Sequence, residues 1–208
     1  MTVRQHRGDL PDLTRYTDSV AIDTETMGLN PHRDRLCVVQ LSNGDGSADV
    51  VQIPQGHGKA AGDAPNLKAL LANPGITKIF HFARFDLAAL YNALGVMPTP
   101  VYCTKIASRL SRTYTDRHGL KDLSREVLGV ELSKQQQSSD WGAQALSEAQ
   151  LAYAASDVLH LHALRERLDA MLAREGRAEL ARACFEFLPS RAKLDLGGWE
   201  AEDIFAHS

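Results

Sequence analysis

The hydrophobic pattern changes period once along the chain, near Thr104, and that change limits the fold more than any single residue does. Before it, apolar runs are short and β-branched, at 19–23 (SVAID), 36–42 (LCVVQLS) and 48–53 (ADVVQI), parted by Gly, Asn and Asp. Such runs read as strands, and three in succession predict an antiparallel meander. A short helix is expected over 66–71, a strand over 76–82 after Asn73-Pro74-Gly75, and a short final strand over 101–103. Between these last two, Phe85, Ala89, Leu90, Ala93 and Leu94 recur at helical spacing until Gly95. After Thr104 the period is helical. Leu120, Leu123, Val127 and Leu128 mark one helix that stops at Gly129. Ser147-Glu148-Ala149-Gln150 fits a capping box and opens a helix expected to reach about Ala173; a last one covers 178–187. Strands first and helices after them predict one α/β domain over 1–208, a single mixed sheet with helices packed on it.

Composition excludes several classes. Hydrophobic residues at 44% and charged residues at 24% of 208 suit a globular chain, and no apolar run approaches the roughly 20 residues of a membrane span. The polar start, with Arg4, His6 and Arg7, is not that of a signal peptide. Cys37, Cys103 and Cys184 are odd in number and widely spaced, which argues against a disulfide scaffold or zinc ribbon and for a cytoplasmic protein. A net charge of −3 is not that of a protein coating long nucleic acid. One stretch, 103–125, is basic, with six Lys/Arg against two acids, and reads as a solvated helical face.

The chemistry lies in carboxylates. Asp23 and Glu25 follow the apolar run Val20-Ala21-Ile22, and residues i and i+2 of a strand share a face. A core strand ending in two acids carries a desolvation cost unless a cation meets them. Asp86 falls early in a helix, and Tyr153 and Asp157 stack four apart on another. Four carboxylates from three segments make a hard-oxygen site suited to Mg²⁺ or Mn²⁺, and two such ions clamp the oxygens of phosphoryl transfer. A tyrosine hydroxyl there orients the attacking water.

Asp23-x-Glu25, Asp86 and Tyr153-x-x-x-Asp157 resemble, in order, the three motifs of the DEDD 3′→5′ exonucleases, tyrosine branch. The resemblance covers about 20–168 and includes Leu120-Lys121-Asp122-Leu123 and Ser139-Asp140-Trp141, which are similar to segments of the RNase D group. The histidine branch would carry His five positions before the last Asp, where this chain has Ala152. Within that group, 208 residues leave no room for RNase D's helical C-terminal domains, and the ending Leu194-Asp195-Leu196-Gly197-Gly198-Trp199 looks like the nanoRNase C type of oligoribonuclease. The resemblance implies a ribonuclease H-like fold with a mixed five-stranded sheet. It implies two divalent ions on Asp23, Glu25, Asp86 and Asp157, with Tyr153 catalytic. It also implies short single-stranded RNA, down to dinucleotides, as substrate, and assembly into a ring-like octamer. Residues 189–208, with Leu194, Leu196, Trp199, Ile204 and Phe205, are then expected to serve that assembly.

For substrate contacts, Leu29 sits where histidine-branch oligoribonucleases carry a leucine that wedges between bases. Met27, His81, Lys134 and Gln137 are further candidates, from the same turn, a strand end and the polar loop KQQQSS. Two other readings use the same residues. One is a broader RNase D-like exonuclease trimming structured RNA or acting on DNA; the other is a nucleic-acid-binding module with little catalysis.

Overall fold

The computed structural model describes residues 2–60, 62–133 and 135–207. Six strands form one sheet: β1 (Thr2–Arg7), β2 (Ser19–Thr26), β3 (Leu36–Ser42), β4 (Ser47–Gln52), β5 (Thr77–Phe80) and β6 (Val101–Cys103). Their order is β1-β4-β3-β2-β5-β6. β2, β3 and β4 form the expected antiparallel meander, while β1, β5 and β6 pair in parallel. This is the ribonuclease H-like α/β architecture, with six strands rather than five. The added strand is β1. Its residues show no apolar alternation because charge holds it: Arg4 lies opposite Asp49 in register, and Arg4 Nε and His6 Nε2 each sit 2.8 Å from that carboxylate. Tyr16 donates to the same group at 2.7 Å.

The helices are α1 (Pro65–Ala72), α2 (Ala83–Leu94), α3 (Thr104–Ser111), α4 (Leu120–Leu128), α5 (Glu148–Leu159), α6 (Leu161–Arg174) and α7 (Ala178–Leu194). β3 and β4 are buried along their whole length, as central strands covered on both faces are. The main core joins β2, β3 and β5 to α1, α2, α6 and α7; a smaller cluster of Cys37, Val38, Val50, Trp141, Leu146 and Ala154 lies under α5.

Two helix limits differ from expectation. The long helix is two: the chain breaks at His160 (φ −106°, ψ −3°), although the apolar stripe continues through Leu161, Leu164 and Leu168. α7 passes through Pro189 to Leu194, because Leu188 and Ala192 extend the buried face begun by Ala181 and Phe185. A π-helical turn, Asp195–Trp199, follows it. The basic stretch is not wholly solvated either. Arg112 is fully buried and donates to Ser108 Oγ, the Arg117 carbonyl and Glu126. All three cysteines are free, and among the described residues no helix is long and apolar enough to cross a membrane.

Candidate active site

β2 runs beyond its pairing with β5, which ends at Ala21, so its last residues are paired with β3 but free on the β5 side, at the carboxyl end of the parallel pair. Crevices at that end of a parallel sheet are where ligands bind. α2 starts three residues after β5 and presents Asp86 from its first turn. α5 packs across β1 to β4 and brings Tyr153 and Asp157 to the same place. Its start is fixed as expected: Ser147 Oγ accepts from the Gln150 N–H, and Gln150 Oε1 accepts from the Ser147 N–H.

Asp23, Glu25 and Asp157 converge, each with an oxygen within 4.8 Å of the others'. Asp86 is buried behind them and accepts a 2.7 Å hydrogen bond from Thr24 Oγ1. Two like charges at such a distance repel by roughly 3 kcal/mol at an effective dielectric of about 20. Asp23 is accordingly pushed well above the usual carboxylate range, by burial first and then by Asp86, Asp157 and Glu25. Burial, then Asp157 and Asp86, pushes Glu25 up to about 9. Burial lifts Asp86 and Asp157 to about 7 each, opposed by the Thr24 hydroxyl at the first and the Tyr153 hydroxyl at the second. Burial and the carboxylates of Asp157, Glu25 and Asp23 keep the Tyr153 phenol protonated. Buried, converging hard oxygens that raise one another's affinity for positive charge fit divalent cations.

Three supporting residues carried no assignment from the sequence. Gln40, opposite Asp23 in register, donates from Nε2 to Asp23 Oδ2 at 2.7 Å. Its signal was a lone amide in a fully buried strand. Thr24, the residue between the two acids, ties Asp86 to them. Trp141 packs against the Tyr153 ring, centroids 5.9 Å apart. Its loop is gripped through backbone carbonyls by three side chains: Arg35 holds Gly142 (3.3 Å), Gln52 holds Ala143 (2.6 Å) and Gln150 holds Asp140 (3.0 Å).

The other candidates are dispersed. Leu29 is 83% exposed and lines a groove of about 630 Å³ with Phe82, Arg84, Phe85, Asp195 and Glu200; none of the four carboxylates lines it. Phe82 holds a left-handed φ of 66° at the α2 N-cap, a strained conformation of the kind that gathers at functional sites, and Lys105 Nζ sits 4.3 Å over its ring. Met27 is half exposed, and a Cβ on Gly142 would come within 2.5 Å of its sulfur. His81 is bonded through Nδ1 to Thr104 Oγ1 (2.9 Å), and its buried Nε2 has no partner among the described residues. Burial, with Lys105 beside it, depresses His81 to about 3, so it is neutral at working pH. Gln137 is exposed on a turn, and Lys134 lies outside the described residues.

The family model for 3′–5′ exonucleases matches residues 9–173. Ribonuclease D of Acidiphilium cryptum is 38% identical over 160 residues, which cover 77% of this chain and 39% of that protein. The chain thus spans about two fifths of the length of that curated relative. Over its full length it superposes on Brucella melitensis NrnC with bound Mg²⁺, with a TM-score of 0.95, 63% identity and 100% of both chains covered. The same Brucella protein bound to pGG gives a TM-score of 0.96 and 64% identity, again over both whole chains.

Proposed function

As the chain belongs to the 3′–5′ exonuclease family, we propose that it is a metal-dependent cytoplasmic exoribonuclease that hydrolyses dinucleotides and other very short RNA to mononucleotides. The observation that carries this reading is the convergence of Asp23, Glu25 and Asp157 within 4.8 Å, with Asp86 tied to them through Thr24. These four would hold two divalent cations, Mg²⁺ or Mn²⁺, which when bound stabilise the charge developing on the attacking and leaving oxygens. Tyr153, braced by Trp141 and kept protonated, orients the attacking water by hydrogen bonding. Water adds to phosphorus, the bond to the 3′ oxygen breaks, and a proton passes to that departing hydroxyl.

Short substrates suit the charge of the chain. Affinity for long RNA comes from many phosphate contacts, whereas a dinucleotide with one or two phosphates needs few. The exposed Leu29 beside Phe82 and Phe85 offers apolar surface for bases, and pGG in the Brucella protein is a ligand of this size. We further propose a homo-oligomer larger than a dimer, in the extreme an octamer, joined through the exposed Trp199, Ile204 and Phe205. The test is hydrolysis of labelled RNAs of two, three, five and twenty nucleotides, and of a matched DNA, with Mg²⁺ or Mn²⁺. Preference for the dinucleotide supports the reading. Equal rates on all lengths refute it and favour the broader exonuclease.

A further inference from the structure

Gln40 belongs to β3, a strand buried along its whole length, and is itself fully buried. In register it lies between Asp23 of β2 and Val50 of β4. Val38, two residues back and so on the same face, packs with Val50 and Ala154 beneath α5. An apolar side chain would fill this place at no polar cost. The amide instead leaves Oε1 buried with no partner among the described residues, and its one hydrogen bond runs from Nε2 to Asp23 Oδ2 at 2.7 Å. A buried acceptor left bare is destabilising. What the amide gains, it gains at Asp23.

The kind of donor matters as much as its place. Among the described residues no ion pair reaches Asp23, Glu25, Asp86 or Asp157. The side-chain donors to these acids are neutral: the Gln40 amide at Asp23, the Thr24 hydroxyl at Asp86 and the Tyr153 hydroxyl at Asp157. A cationic donor would cancel the charge that draws a metal ion. A neutral one fixes the carboxylate and leaves that charge in place. The torsion that turns an aspartate carboxylate is broad and soft, so a donor on Oδ2 sets it. We infer that Gln40 is a positioning residue for the cation site, its amide orienting Asp23 as a ligand without neutralising it; the inference rests on the metal-dependent reading above.

Gln40→Met keeps the length and bulk of the side chain and removes the donor. Mn²⁺ affinity is measured by calorimetric titration on the full-length wild type, Gln40→Met, Asp23→Ala and the double variant, with the cation-free melting temperature of each. Gln40→Met is expected to lose about 10- to 100-fold in affinity while melting within about 4 °C of wild type. Added to Asp23→Ala, the same change should cost less than twofold, because the group it acts through has gone. If the methionine variant does not fold, Gln40→Leu carries the same four-way comparison. Affinity within twofold of wild type overturns the inference. So do equal losses with and without the Asp23 carboxylate, which would make Gln40 a packing residue of β3. A wild-type chain that binds no Mn²⁺ refutes the metal-dependent reading, and this inference with it.

Discussion

The Thr24 hydroxyl donates a 2.7 Å hydrogen bond to Asp86 across 62 residues of sequence, so the residue between the two acids of β2 fixes the third. Thr24 is buried, and its bond draws Asp86 downward against the effect of burial. Thr24→Val keeps the shape and removes the bond. Asp86 should then titrate higher, and Mn²⁺ affinity at neutral pH should fall about 10- to 100-fold, the usual cost of losing a group that orients a metal ligand. Calorimetric titration checks this; affinity within twofold of wild type would show Asp86 to be held by its helix alone.

Asp23→Ala and Asp157→Ala should each reduce hydrolysis below a tenth of wild type while the protein stays folded. Either change removes one of three mutually repelling carboxylates, so the cation-free protein is expected to melt at a higher temperature than wild type. Activity assays and thermal melts read the two effects separately. A folded variant that retains more than a tenth of the activity would falsify the assignment.

Tyr153→Phe should lower kcat by about 10²- to 10⁴-fold, the range typical of groups that position or transfer a proton. Metal affinity should fall far less than kcat, since the hydroxyl is not a ligand and acts on the site only through its hydrogen bond to Asp157. A rate within twofold of wild type would make Tyr153 a packing partner of Trp141 and no more.

Cation-free stability should fall as pH rises. Unfolded carboxylates titrate near 4, whereas Asp86 and Asp157 do so at about 7 and Glu25 at about 9. Between those limits the folded state binds more protons than the unfolded one, so the free energy of unfolding declines with pH. The contribution is fully present below about pH 4 and is lost through pH 7 to 9. Melting temperature in a chelator should therefore drop from pH 5 to 9, and added Mg²⁺ or Mn²⁺ should restore it most at the alkaline end. A flat profile in the chelator contradicts the crowded-carboxylate picture.

The tail gives an assembly prediction. Trp199 and Phe205 are 45% and 76% exposed, and the Phe205 ring lies 5.8 Å from that of Phe187. Aromatic side chains left in this state are typical interface anchors. Trp199→Ser with Phe205→Ser, or deletion of residues 194–208, should reduce the particle mass at micromolar concentration. A monomeric mass for the unaltered chain would refute assembly without touching the chemistry.

Local pattern carried far in this sequence. The meander, α2 up to Gly95, α4 up to Gly129 and the Ser147 capping box were legible because each depends on residues close in sequence. The two-residue spacing put Asp23 and Glu25 on one face, and the four-residue spacing did the same for Tyr153 and Asp157, but that these acids and Asp86 belong to one site was read from the resemblance to an exonuclease family, not from any period. β1 was not legible, because its register comes from Arg4 and His6 meeting Asp49 rather than from alternation. The break at His160 and the passage of α7 through Pro189 depend on what each helix packs against. Neither is a matter of propensity.

What the sequence determined by itself is the inventory: the strands and helices, and the acids and tyrosine they carry. What only the tertiary structure decided is which groups meet. Thr24 on Asp86, Gln40 on Asp23, Trp141 on Tyr153 and Asp195 between Arg84 and Arg191 are contacts between distant segments. Their partners are selected by packing and by the need of each buried polar group for a counterpart, and no local period encodes that choice.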